Sequence, residues 1–360
     1  METDQAIRAG VERLASNAFG RPLRIAGWQR LNSQTRVAVA RVTLTDGAGR
    51  CTSVVAKHRT GNGPPNPDFA EELVNYRYLM GLRDRFDRFP RLLGAAPDLF
   101  VLEDLGPDRH VFPDVDAVVA AIAQTFAELH AATAGGEAGH EAVRAAAGLH
   151  DPDPRPRSAA RTLEAFRAGC AILADHASIL LGAPADTVTG MAEAALEDLG
   201  DPGPFRAFAH DDMADRRQCV VVAGRVLLVD FEAAKHTHAL IDLAKPLIGK
   251  AERDTAAGVF THNHPHLPAS LAPAYRRARE AADGLRVSDA VWERQLGSAL
   301  IAQTFLTVQR FHELSGQRFS ASLAASLKSV LTQLSRHRPD SPAHRDLLAL
   351  LDRLRERIAV

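Results

Sequence analysis

The segment Phe208 to Leu243, FAHDDMADRRQCVVVAGRVLLVDFEAAKHTHALIDL, gathers carboxylates at a spacing that suits catalysis. His210-Asp211-Asp212 stands just before a predicted β-hairpin, and Asp230-Phe231-Glu232 ends the second strand of that hairpin. Leu227-Leu228-Val229 marks that strand as buried, and an unpaired carboxylate emerging from it at Asp230 is costly without a cation or hydrogen bonds. A hairpin between them is expected to turn the two acidic loops toward each other. One carboxylate can then orient a hydroxyl while another holds Mg²⁺, both approaching one phosphoryl group. Phosphoryl transfer is the chemistry this spacing serves.

The elements that must position these residues are legible as patterns. Arg36 to Thr45 alternates polar and apolar residues, Asp46-Gly47 makes a turn, and Cys51 to Lys57 continues as a second strand. Asp68 opens a helix with Phe69, Leu73, Tyr76 and Leu79 at helical spacing. Leu92-Leu93 and Leu99 to Leu102 bracket a Pro97-Asp98 turn as paired strands. From Glu103 onward helical spacing dominates, first in Val115, Val118, Val119, Ile122, Phe126 and Leu129. A hairpin over Val220 to Val229 turns at Ala223-Gly224, and everything after about Ala239 reads as nearly all helix, ending in one that Ser341 caps. These patterns predict an α+β fold with two lobes: residues 1–105, a small antiparallel sheet with one helix, and residues 106–360, mainly helical.

In motif order and spacing, roughly residues 20–245 resemble the aminoglycoside phosphotransferase and choline kinase family, small-molecule relatives of the protein kinases. That family shows His-Gly-Asp, four residues and Asn, a hairpin, Asp-Phe or Asp-Trp followed by Glu, and later Asp-Leu-Ala. The resemblance implies a bilobal protein-kinase-like fold and transfer of the γ-phosphoryl group of ATP or GTP to a small-molecule hydroxyl. It makes Asp212 the catalytic aspartate, Asp230 the Mg²⁺ ligand, and Lys57 the holder of the α- and β-phosphates, with Glu72 as its helix partner. Leu102-Glu103-Asp104-Leu105-Gly106 resembles the hinge on which adenine rests, which places Glu103 and Leu105 against the nucleotide. His210 is expected to orient its loop and Asp242 to cap a helix.

Two positions depart from that pattern. Asp211 stands where the family has a small residue, so metal or Arg216 and Arg217 are expected to offset its charge. The metal-binding asparagine is absent: Arg217 stands at its position, with Gln218 next. A guanidinium offers no lone pair to Mg²⁺. Three readings stay open. One metal suffices, with Gln218 lending its carbonyl; Arg217 itself supplies positive charge to the phosphates; or turnover is lost and a pseudokinase-like nucleotide- or partner-binding protein remains.

The loop Leu31 to Val37 has no glycine, yet Asn32, Ser33 and Gln34 can contact phosphate or simply form a polar turn. Thr261 to His266 alternates three histidines in what reads as a proline-containing loop. Formal net charge is −1 over 360 residues, which disfavours a general nucleic-acid or anionic-lipid binder. Three scattered cysteines suit a reducing cytoplasm, and no apolar run is read as a membrane span.

Overall fold

Alternation in Val37–Thr45 buries Ala38, Ala40, Val42 and Leu44 and leaves the residues between them half-buried, the signature of a strand with one covered face. Around it, β1 (Arg24–Arg30), β2 (Val37–Thr45), β3 (Cys51–Arg59), β4 (Leu92–Ala96) and β5 (Leu99–Glu103) form an antiparallel sheet in the order β1-β2-β3-β5-β4. The computed structural model describes residues 2–32, 37–60, 67–106, 115–149, 164–172, 174–175, 185–212, 218–248, 250–254, 259–263, 270–314, 345–346, 349–350 and 353.

The chain divides into two units, and the division is discontinuous along it: Met1–Val111, Ala138–His150 and Gln218–Ala234 form the first, and Phe112–Glu137, Asp151–Arg217 and Lys235–Val360 the second.

In the first unit the sheet carries helix α2 (Pro67–Met80), where Pro67 opens the helix and Asp68 places negative charge in its first turn. A helix absent from the sequence expectation precedes the sheet: α1 (Glu2–Phe19) buries Val11 and Ala15 in the sheet's core cluster with Ile7 and Leu14 packed against it. Its signal is a narrow apolar stripe in a polar segment, which periodicity alone underweights. Strands β7 (Cys219–Val222) and β8 (Arg225–Leu228) also belong to this unit. They join through Ala223 and Gly224, at φ 49° and 74°, the two left-handed positions of a tight hairpin turn. Leu228 N donates to Arg88 O at 2.8 Å and ties the hairpin to the segment before β4.

The second unit holds α3 (Val115–Thr133), α5 (Ala185–Gly200), α6 (Ile241–Ile248), α7 (Leu271–Asp283) and α8 (Asp289–Leu314); α4 (Glu137–Ala146) starts in it and continues in the first. A two-stranded ladder of β6 (Arg206–Ala209) and β9 (Lys235–His238) completes its site region. The segment after Ala239 is not all helical: β10 (Lys250–Asp254) and β11 (Val259–Asn263) pair as a hairpin. His262 therefore lies on a strand, because ladder pairing overrides the loop reading of Thr261 to Asn263. The membrane reading also changes. Helix α3 is long and apolar enough to cross a bilayer by length and composition, yet Val118, Val119, Ile122, Phe126 and Leu129 are buried within the protein, as in a core helix. Ser33, Gln34, Arg216, Arg217, His264, His266 and Ser341 lie outside the described residues.

Candidate functional site

Lys57 stands near the end of β3 and Glu72 on α2. Lys57 Nζ donates to Glu72 Oε1 and to Asp230 Oδ1, each at 2.6 Å. Glu72 is 2% exposed and Lys57 9%, so this is a buried ion cluster and not a surface contact. Burial opposes the charge on Lys57, but Glu72 and Asp230 together hold its pKa above the usual lysine value. Glu72 moves the other way: desolvation pushes its carboxyl up to about 7 against the pull of Lys57. The pair is therefore a charged lysine facing a reluctant carboxylate, with Asp230 sharing the ammonium.

Asp230 lies just after β8 at φ 67° and ψ 63°, a left-handed conformation unusual for a residue with a Cβ. Three side chains hold it there. Phe231 is fully buried and packs edge-on against Tyr76 at 5.4 Å. Asn75 Nδ2 donates to Phe231 O at 2.7 Å and to Ala234 O at 3.0 Å, and Asn75 Oδ1 pairs with His140 Nε2 at 2.8 Å. Asp230 N donates to Tyr76 Oη at 3.3 Å. Asn75 escaped sequence analysis because a lone asparagine inside a helix pattern carries no signal of its long-range partners.

Carboxylate oxygens of Glu72, Asp230 and Glu232 lie within 4.8 Å of one another. Hard oxygen donors of this kind suit Mg²⁺. Glu72 is buried against Lys57, whereas the Asp230 side chain is a third exposed and Glu232 is exposed, so Asp230 and Glu232 are the residues fitted to hold the cation. Glu232 was visible in the Asp-Phe-Glu motif but had no assigned part. Gln218 is buried where the hairpin begins, and its backbone O accepts from Val229 N at 3.0 Å.

Just past β5, the segment Asp104 to Gly106 is braced by charge. Arg41 donates to both carboxylate oxygens of Asp104, at 2.8 and 3.2 Å, and to Gly106 O at 2.6 Å. Glu103 N donates to Arg91 O at 2.8 Å, and Leu105 is half-buried. Asn32 spends its side chain within the sheet edge, donating to Val37 O at 2.8 Å and accepting from Val39 N at 2.9 Å.

In the second unit, the loop after β6 is organised from α6. Asp242 accepts His210 N at Oδ2 and Asp211 N at Oδ1, both at 2.7 Å. It is thus a clamp on the His210 loop, not the helix cap expected from sequence. His130 lies 3.0 Å from Asp242 Oδ2 through Nε2 and 2.8 Å from Tyr275 Oη through Nδ1. Burial lowers its pKa although Asp242 pulls it up, so the neutral ring is assigned with Nε2–H donating to Asp242 and Nδ1 accepting from Tyr275.

Asp211 corrects a second expectation. Its charge needs neither metal nor Arg216 and Arg217, because Lys235 Nζ lies 2.5 Å from Oδ2 and Lys245 Nζ 2.7 Å from Oδ1. Burial opposes ionisation, but the two ammonium groups win and hold the carboxyl at about 2. Asp212 follows, half-buried.

No family model and no curated protein matches the chain. Solved structures do resemble it. An ethanolamine kinase from Plasmodium vivax is 11% identical, with 93% of this chain and 81% of that one covered and a TM-score of 0.49. The choline kinase LicA from Streptococcus pneumoniae is 11% identical over 93% of this chain and 99% of its own, at a TM-score of 0.47. The ADP-bound aminoglycoside phosphotransferase APH(2″)-Ib is 12% identical over 87% and 93%, at 0.46. At these identities nothing about chemistry carries over, so function is read from the side chains.

Proposed function

We propose that this chain is a phosphotransferase that moves the γ-phosphoryl group of ATP or GTP to a hydroxyl of a small molecule. The observation that carries this reading is the buried Lys57, held between Glu72 and Asp230 beside the third carboxylate of Glu232. A strand lysine pinned by a helix glutamate and a strained turn aspartate is more than a salt bridge requires, and it fits a triphosphate with its cation. Lys57 engages the α- and β-phosphates. Asp230 and Glu232 hold Mg²⁺, which neutralises developing phosphate charge when bound. Glu103 and Leu105 border the base. Asp212 orients the acceptor hydroxyl and takes its proton, and the His210 backbone N–H, donating to the Asp242 carboxylate, keeps the loop in place. Lobes spanning residues 1–105 and 106–360, a cytoplasmic location, and no nucleic-acid or membrane partner belong to the same proposal.

One sequence feature favours a second reading. The position five after Asp212 is Arg217 and not asparagine, as in a nucleotide-binding module without turnover. Thermal-shift titration with ATP and GTP, with and without Mg²⁺, on the native chain and on Asp230→Ala separates the two when paired with a hydroxyl-substrate screen. Mg²⁺-dependent stabilisation lost in Asp230→Ala, together with turnover, supports the kinase. Stabilisation without turnover on any hydroxyl supports the module, and no response to either nucleotide sinks the kinase and leaves a degenerate module that binds a partner.

A further inference from the structure

One turn of α6 grips both backbone groups of a single residue. Asp242 takes the N–H of Asp211 at 2.7 Å, and Lys245 donates to the Asp211 carbonyl oxygen. The two gripping residues are three apart on the helix and therefore share a face. Asp211 itself has φ 56°, in the left-handed region, and is 8% exposed. Aspartate is among the few residues with a Cβ that tolerate this conformation, but it does not enforce it. Here the side chain adds the enforcement, since Oδ1 and Oδ2 pair with lysines from two elements, Lys245 on α6 and Lys235 on β9. A glycine would reach the same φ while leaving the loop free to leave it.

We propose that Asp211, clamped by Lys235 and Lys245, is a positioning residue that fixes the backbone carrying Asp212; this rests on the phosphotransferase reading. The charge expected to need metal or Arg216 and Arg217 instead restricts the loop to one conformation. Asp211 is buried with its carboxylate taken up by two lysines, so it acts through its neighbour.

The test uses the full chain and the variants Asp211→Gly and Asp211→Asn. Both tolerate positive φ and lose the ion pairs, so one serves if the other misfolds. Phosphate release from Mg²⁺-ATP, with water as acceptor, gives kcat and nucleotide KM, and hydrogen exchange reports the His210 and Asp211 amides. The expected result is kcat down about 10- to 100-fold, nucleotide KM within about 2-fold of wild type, and faster exchange confined to the loop. Wild-type kcat in a folded variant overturns the proposal. So does a drop in kcat that tracks thermal stability with loop exchange unchanged. If the wild-type chain gives neither nucleotide stabilisation nor phosphate release, the phosphotransferase reading fails. The clamp is then judged by exchange alone: faster loop exchange in the variants sustains it, and no difference overturns it.

Discussion

In the first unit one ammonium, that of Lys57, serves two carboxylates; in the second one carboxylate, that of Asp211, serves two ammonium groups. Lys57, Glu72 and Asp211 are buried, yet the charge balance around them assigns the two clusters different work. Glu72, Asp230 and Glu232 outnumber Lys57, and the surplus of hard oxygens is what the proposed Mg²⁺ site calls for. Lys235 and Lys245 consume the charge of Asp211 and the carbonyl oxygen beside it, so that cluster is built to hold its own backbone. An ion network is thus read by which charge is in surplus, not by how many bonds it makes.

The largest effect should come from removing the shared cation. Lys57→Met leaves the buried carboxyl of Glu72 and the third-exposed Asp230 without their shared cation and should cost about 3 kcal/mol, with loss of any Mg²⁺-nucleotide stabilisation. Urea melts with and without Mg²⁺-ATP measure both, and a wild-type midpoint would break the contrast between the clusters.

Acid should separate the units next. Burial, aided by Arg206, holds His236 at about 4, and burial holds His238 at about 4 against its bond to Gln295, both below the ordinary 6.5. The unfolded chain takes up these protons first, so this stability is present above pH 6.5 and lost as pH falls toward 4, on the order of 3 kcal/mol per histidine. Glu72 runs the other way. Its carboxyl is raised from 4.5 to about 7, so its contribution is complete below pH 4.5 and lost as pH rises through 7. Native-state hydrogen exchange between pH 4 and 7 should show the two units sloping oppositely, and parallel slopes would refute the assignment.

Asn75→Ala removes three hydrogen bonds behind Asp230 and should cost about 2 kcal/mol. Its sharper consequence is weaker Mg²⁺ dependence of nucleotide binding, read by calorimetry; unchanged dependence would mean the turn holds Asp230 without it. The smallest expected change is a gain. Ala223→Asn suits the left-handed φ of 49° next to Gly224 and should stabilise the first unit by up to about 1 kcal/mol in thermal melts.

Much of the first unit was legible because its determinants are local. Alternation marked β2 and β3, the Ala223-Gly224 turn marked the hairpin before Asp230, and helical spacing marked α2, while the pairing of Glu72 with Lys57 was implied by the family resemblance alone. The second unit hid its devices for the opposite reason. Lys235 and Lys245 carried no signal, Asp242 read as a cap, and Asp211 read as a charge for metal or Arg216 and Arg217 to offset, since nothing in the periodicity of any one element reports a partner 24 or more residues away.

Residue types and their spacing by themselves determined the strand and helix identities around Lys57, Glu72 and Asp230, because hydrophobic period and turn chemistry act over a few residues. Tertiary structure alone decided that Asp211 is neutralised, that Asp242 grips the loop before Asp212, and that Asn75 braces the turn at Asp230. Those outcomes depend on desolvation and on hydrogen-bond partners supplied by distant segments, which exist only once the chain has packed.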